Sequence, residues 1–169
     1  ITQAEVIRIM QKILMYYVGY LGARTLVYKA IPYIYSKVPS QEDIYALFRA
    51  GAQFEGCGVA TVLSVSNPLV MRTLRVRKAK KALESGFYIE RMREGDEACL
   101  REYWQVLGDV LATYHNTSPV HTADEMALLM RRFPKNIRLF VVRDTNARIV
   151  SGIVVFETEN VAHIQYIAS

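Results

Sequence analysis

The sequence contains few of the residues that build metal, disulfide or redox sites. Cys57 and Cys99 are its only cysteines, and it has three histidines in 169 residues. The cysteines lack the paired spacing of zinc ligands and are too few for a disulfide framework, which favours a reducing, cytoplasmic compartment. Two of the histidines, His115 and His121, bracket a predicted loop, and two ligands alone do not complete a metal site. We therefore expect no metal.

Long apolar runs and nucleotide-binding motifs are also missing. The longest nearly uninterrupted apolar stretch, 13–23, falls short of the ~20 residues that span a bilayer, so we expect no membrane span. The chain begins at Ile1 without a charged-then-apolar leader, which indicates a trimmed N-terminus. There is no P-loop, nucleophile elbow or dinucleotide fingerprint, so kinase, hydrolase and dehydrogenase functions have no support.

Acidic residues are absent from one strongly basic segment, 72–81, which accounts for the net charge of +5. The cations of this segment are Arg72, Arg75, Arg77, Lys78, Lys80 and Lys81. Asn67 and Pro68 are typical of a helix start, and Gly86 of a helix end, so we predict a basic helix between them. Such a helix contacts phosphates of nucleic acid or of a nucleotide-linked substrate, or it is simply a solvated face.

The first 66 residues show helix and strand patterns in alternation. Thr2 and Glu5 form a capping box in front of a helical apolar repeat. Composition predicts a strand over 24–31, a short helix capped by Ser40, and one kinked or two short strands over 52–65.

The remaining sequence predicts an α+β fold that ends in a mostly antiparallel sheet. We expect a strand over 87–92, helices over 96–114 and 122–133, and strands over 137–143, 149–157 and 161–168. The last three strands are joined by short polar connections, which favour antiparallel neighbours. His121 has a structural explanation here, because it directly precedes a capping box formed by Thr122 and Glu125.

Several local stretches carry a family resemblance. They are 28–35 (YKAIPYIY), 43–49 (DIYALFR), 119–122 (PVHT), 132–134 (RFP) and 161–169 (VAHIQYIAS). These stretches resemble a group of bacterial acetyltransferase-like proteins built from two tandem GNAT folds, as Fem-type peptidyltransferases also are. The resemblance implies that 1–66 is the C-terminal half of a first GNAT-like domain, 67–86 a basic connecting helix, and 87–169 the N-terminal half of a second.

The resemblance implies transfer of an acetyl or aminoacyl group to the amine of a small molecule or peptide. The donor would be acetyl-CoA or another acyl-CoA, with the backbone of Tyr166, Ile167 and Ala168 beside its pantetheine arm. An alternative donor is aminoacyl-tRNA, whose phosphates the basic helix would contact. The glycine-rich loop that holds CoA pyrophosphate in the family would follow Ser169, so we expect this chain to be inactive or to bind CoA weakly.

Three side chains near the last strand are candidate catalytic groups: Glu157, His163 and Tyr166. Acyl transfer to an amine needs a base for the amine and an acid for the departing thiolate, which carboxylate, imidazole and phenol groups supply. Strict alternation places His163 and Tyr166 on opposite faces of the strand. Each candidate also fits an ordinary core or turn position. The rival hypothesis is therefore a non-catalytic binding or assembly module, in which exposed strand edges pair two copies or exchange halves in a homodimer.

Overall fold

Residues 1–169 are described by a computed structural model, which combines five α-helices with one four-stranded antiparallel sheet. The chain divides into two units, Ile1–Val62 and Leu63–Ser169, and the sheet lies wholly in the second unit. The expectation of an α+β fold is confirmed, whereas the assignment of 1–66, 67–86 and 87–169 to parts of GNAT domains stays a prediction. None of the helices combines the length and the apolar character needed to cross a membrane.

The first unit is built from two helices that pack on each other. Its elements are α1 (Gln3–Leu14), a π-helical continuation (Met15–Tyr20), a 3₁₀ turn (Tyr33–Tyr35) and α2 (Glu42–Arg49). The capping box of Thr2 and Glu5 is present as predicted. Met10 of α1 and Ala46 of α2 are the buried hydrophobic residues of this unit, so its core is small.

The strands predicted over 24–31 and 52–65 are absent, since neither segment has regular secondary structure. Both are rich in β-branched and aromatic residues, but strand preference takes effect only where a neighbouring strand supplies hydrogen bonds and side-chain packing. The predicted cap of α2 is also wrong. Gln41, not Ser40, is the N-cap, and it makes no side-chain cap bond. The Ser40 hydroxyl donates to the Glu42 carboxylate.

The basic helix, α3, runs from Thr73 to Glu84 and is shorter than predicted. It starts after Arg72 rather than at Asn67 and Pro68, and residues 68–72 have no regular secondary structure. The backbone N–H of Asn67 donates to Ser64 Oγ in a local turn. Gly86 has a φ of +86°, a left-handed conformation that glycine adopts without strain and that ends the helix as expected.

The second unit carries the predicted meander. Besides α3, its elements are β1 (Tyr88–Arg91), α4 (Glu97–His115), α5 (Ala123–Arg132), β2 (Ile137–Arg143), β3 (Ile149–Glu157) and β4 (Ala162–Ala168). All neighbouring strands are antiparallel, in the order β1-β2-β3-β4. The strands and helices predicted for 87–168 are confirmed, with bounds that differ by a few residues at most.

The core of the second unit lies between the helices α4 and α5 and one face of the sheet. Its buried residues are Cys99, Leu100, Tyr103, Leu107, Met126, Ala127, Met130, Leu139, Val141, Ile149, Val154, Tyr166 and Ala168. Asp96 caps α4 by accepting the backbone N–H of Cys99 at 3.0 Å. Asn116 adopts a left-handed conformation at the end of α4 and turns the chain towards α5.

A β-bulge in β4 changes which residues share a face. Val154 pairs with Tyr166, but the next residue of β3, Val155, pairs with Ile164, so Gln165 is an extra residue in β4. Phe156 pairs with His163 and packs against the same core as Val154. His163 and Tyr166 therefore lie on the same face, and the prediction of opposite faces is wrong because strict alternation fails at a bulge.

Candidate functional site

Tyr166 and His121 form the most closely connected pair of candidate catalytic groups in the second unit. The Tyr166 hydroxyl and His121 Nδ1 share a hydrogen bond of 2.6 Å, and the backbone N–H of His121 donates to the same hydroxyl at 3.3 Å. Tyr166 is buried and His121 is partly exposed. A phenol linked to an imidazole that reaches solvent is able to pass a proton between the interior and a bound molecule.

Trp104 of α4 holds this pair in place from the side. Its indole Nε1–H donates to the carbonyl oxygen of His121 at 3.0 Å. Its ring meets the Tyr166 ring edge-on, with 5.2 Å between the ring centroids. Trp104, His121 and Tyr166 thus form one contact cluster, called here the His121 cluster, between α4, the loop before α5, and β4.

The position of His121 is determined by the start of α5. Thr122 is the N-cap of α5, and its hydroxyl accepts the backbone N–H of Glu125 at 3.2 Å while the Glu125 carboxylate accepts the N–H of Thr122 at 2.8 Å. The Glu125 carboxylate accepts hydrogen bonds from the backbone N–H and the hydroxyl of Thr122, which lower its pKa, and the neighbouring His121 lowers it further. The predicted capping box is confirmed, and it fixes the backbone that presents His121 to Tyr166.

The three predicted catalytic residues are not brought together in one group. Tyr166 belongs to the His121 cluster. Glu157 ends β3 and forms an ion pair of 3.0 Å with Arg138. His163 Nε2 and Gln165 Oε1 share a hydrogen bond of 3.2 Å at the bulge. Their catalytic roles stay predictions.

The backbone of β4, which contains the predicted cofactor residues Tyr166, Ile167 and Ala168, lies at the edge of the sheet. β4 is an edge strand, so it has a neighbouring strand on one side only. The carbonyl of Ala168 accepts the hydroxyl of Ser151 from the β3 side at 2.8 Å. Because the direction of backbone groups alternates along a strand, the N–H and C=O of Ile167 point to the outer edge. Among the predicted cofactor residues, Ile167 is therefore the one whose backbone donor and acceptor are not used within the sheet.

The predicted phosphate-binding residues lie on or next to α3 and are all exposed. They are Arg72, Arg75, Arg77, Lys78, Lys80 and Lys81. Lys80 forms an ion pair of 3.8 Å with Glu84, and both side chains remain largely in solvent. Their phosphate contacts stay a prediction.

Sequence reasoning assigned His121 a structural role and missed its contact with Tyr166. The two residues are 45 positions apart, and no local periodicity reports such a distance. The one available signal was the capping box at Thr122, which fixes where the preceding residue lies. No group of three or more histidine, cysteine, aspartate or glutamate side chains is arranged to hold a metal ion.

No protein-family model matches the chain, and no curated protein sequence matches it either. The assignment of family and function is therefore a proposal.

Proposed function

We propose that the second unit is the N-terminal half of a GNAT-like acyltransferase domain and serves acyl transfer from a thioester to an amine. The order of one strand, two helices and three antiparallel strands supports this proposal. The observation that carries it is the 2.6 Å hydrogen bond between His121 and Tyr166, beside an edge strand with free backbone groups. The first unit adds no support, since its two expected strands are absent.

In this proposal the His121–Tyr166 pair moves the proton of the reaction. A phenolic oxygen accepts two hydrogen bonds and donates one. If His121 carries its proton on Nδ1, both acceptor positions of Tyr166 are filled by His121, through Nδ1–H and the backbone N–H. The Tyr166 O–H is then free to point at a substrate, and His121 Nε2 is free to act as a base.

The proton transfers balance over one turnover. His121 Nε2 takes a proton from the acceptor amine, and His121 Nδ1 gives its own proton to the Tyr166 oxygen. Tyr166 gives its hydroxyl proton to the sulfur that leaves. His121 ends with the proton on Nε2 and returns to the starting tautomer by exchange with water, so no covalent enzyme intermediate is needed.

Acyl-CoA, the donor in this proposal, supplies a thioester carbonyl that the amine attacks, forming the C–N bond as the C–S bond breaks. The outward N–H and C=O of Ile167 would hold its pantetheine amides as an added strand is held. Trp104 keeps His121 in register with Tyr166 and so acts as a positioning residue.

The proposal is tested by incubating acetyl-CoA and a panel of amines with the chain, and with a longer form that includes the expected glycine-rich loop after Ser169, and measuring free CoA by chromatography. The chain alone is expected to be inactive or weakly active, so the variants are compared in the longer form. A thiol reagent is unsuitable because Cys57 is exposed. We expect Tyr166→Phe to lower kcat by about 10²-fold or more, since it removes a general acid. Acetyl-CoA binding, measured by calorimetry, should be unchanged in this variant.

A backbone variant tests the donor site separately. Ile167→Pro removes the outward N–H and should weaken acetyl-CoA binding, whereas Ile167→Ala keeps the N–H and should bind as the parent does. If neither the chain nor the longer form binds acetyl-CoA or releases CoA with any amine, the acyl-CoA proposal is wrong. Transfer from aminoacyl-tRNA in that case would identify the alternative donor.

The rival function, a non-catalytic assembly module, draws on the same strand edge. β4 contains neither proline nor a charged residue, the usual features that prevent edge strands from pairing. Light scattering separates the two functions. A stable dimer that Ile167→Pro converts to monomer, without acetyl-CoA binding by the parent, favours assembly over catalysis.

A further inference from the structure

Helix α3 carries many exposed cationic side chains and few acidic side chains to neutralise them. Segment 72–81 holds six lysines and arginines and no acid. Lys80 is paired with Glu84 at 3.8 Å, and the remaining five cations make no ion pair. A surface of this charge attracts a polyanion, either nucleic acid or an anionic bilayer.

Apolar residues on α3 form a stripe between the cations. At 3.6 residues per turn, Val76, Ala79 and Leu83 fall within about 60° of the helix circumference. Arg75 and Lys80 lie about 40° beyond the two borders of this stripe. All five residues are exposed.

The segment that leads into α3 is exposed and apolar as well. Leu69, Val70 and Met71 have 81%, 96% and 73% of their surface accessible. Segment 69–84 therefore mixes exposed apolar side chains with exposed cations along its length. Exposed apolar surface of this extent marks an interaction site.

We propose that 69–84 docks on the surface of a bilayer that contains anionic lipid. The stripe and 69–71 would enter the region between headgroups and acyl chains, while Arg75 and Lys80 extend from its borders to the lipid phosphates. Nucleic acid would satisfy the cations but leave the apolar stripe and 69–71 in water. The apolar residues are therefore what favours lipid over RNA. This surface is separate from the His121 cluster, and the inference does not rest on acyl transfer.

The experiment measures flotation of the whole chain with vesicles of phosphatidylcholine alone and of phosphatidylcholine with about one third phosphatidylglycerol. We expect at least about tenfold tighter binding to the anionic vesicles, and loss of that preference in high salt as the charges are screened. Replacing Arg75 and Lys80 together by glutamine should weaken binding about 25-fold, because each cation near the surface is worth roughly fivefold.

A matched pair of neutral variants tests the apolar stripe. Val76→Asn with Leu83→Asn leaves the charge unchanged and should weaken vesicle binding by about tenfold or more. Leu74→Asn is the control, because Leu74 lies about 140–180° from the stripe residues but is similarly exposed. It should bind as the parent chain does. Circular dichroism checks folding, and the corresponding serine variants repeat the test if asparagine lowers the thermal midpoint.

Three results would overturn the proposal. They are equal binding to neutral and anionic vesicles, unchanged binding by the Val76 and Leu83 variant, and equal loss of binding by the Leu74 control. Binding of tRNA that depends on Arg75 and Lys80 but not on the stripe, without vesicle binding, would identify the surface as an RNA contact instead.

Discussion

The hydroxyl of Tyr103 donates a 3.1 Å hydrogen bond to the carbonyl oxygen of Gly152, and the edge of the same ring fills the space where residue 152 would carry a side chain. A Cβ at Gly152 would lie 2.7 Å from Tyr103 Cε2 and 2.9 Å from the carbonyl oxygen of Phe140. Helix α4 thus packs on β3 at a point where only glycine fits.

Gly152→Ala should therefore destabilise the second unit by about 1–3 kcal/mol, since both the ring and a backbone oxygen would have to move. Unfolding in urea is followed by the fluorescence of Trp104, the only tryptophan of the chain. The control is Gly108→Ala, a glycine of α4 with no atom in the way of a Cβ. It should stabilise by about 0.5–1 kcal/mol through helix preference. Equal effects at the two glycines would contradict the close contact.

Tyr103→Phe keeps the ring and removes the hydroxyl, so it separates the hydrogen bond from the packing. We expect a loss of about 1 kcal/mol in the free energy of unfolding, because the Gly152 carbonyl loses a buried donor. The same urea titration measures it. A loss well above that value would mean that the hydroxyl contributes more than an ordinary buried hydrogen bond.

Arg143 links three elements of the second unit through its guanidinium group. It donates to Glu90 of β1 at 2.7 Å, to Glu102 of α4 at 3.1 Å and to the carbonyl of Ala147 at 2.7 Å. The hydrogen bond to Glu90 is the main cause of the raised pKa of Arg143. Lysine cannot reproduce this fork of donors.

Arg143→Lys should cost about 1–2 kcal/mol, a value discounted because both carboxylates remain partly in solvent. Arg101→Lys is the comparison, since Arg101 is also paired with two carboxylates but is 54% exposed. That change should cost clearly less than Arg143→Lys, because solvent screens the exposed pairs of Arg101. Chemical denaturation of the two variants measures the free energy of unfolding of each. Equal losses would show that the contacts of Arg143 with three elements add nothing to an ordinary ion pair.

Glu125 makes stability depend on pH at the acid end. Its hydrogen bonds to Thr122 lower its pKa below the ordinary 4.5, so the native state favours the carboxylate. The resulting stability is fully present above pH 4.5 and is lost as the pH falls through the lowered pKa. Thermal midpoints between about pH 3 and 6 should fall less steeply for Glu125→Gln than for the parent chain. Identical slopes would show that the capping carboxylate does not couple to folding.

The sequence predicted best those elements whose signals are local. The capping boxes at Thr2 and Thr122 and the three closing strands follow from short patterns of polar and apolar residues, and all are present. A cap or a short turn is determined by side chains within a few positions of each other. Such features can be deduced without knowing the rest of the fold.

The features that sequence reasoning missed depend on distant partners. Segments 24–31 and 52–65 have strand composition, but a strand requires a neighbour that composition does not reveal. The bulge at Gln165 lies in a strand without glycine or proline to signal it, so alternation placed His163 on the wrong face. The contact of His121 with Tyr166 joins a loop to a strand, and only the folded chain brings them together.

The bulge at Gln165 also determines which kinds of mutation the His121 cluster tolerates. Tyr166 faces His121 because β4 carries one extra residue before it, and His121 faces Tyr166 because it directly precedes the N-cap of α5. A conservative substitution at Gln165 or at Val120 leaves the number of residues in both segments unchanged. A single-residue insertion or deletion in either place would rotate or displace one partner away from the other. Length variation among natural or engineered variants should therefore be rarest in these two short segments, even where the residue types differ.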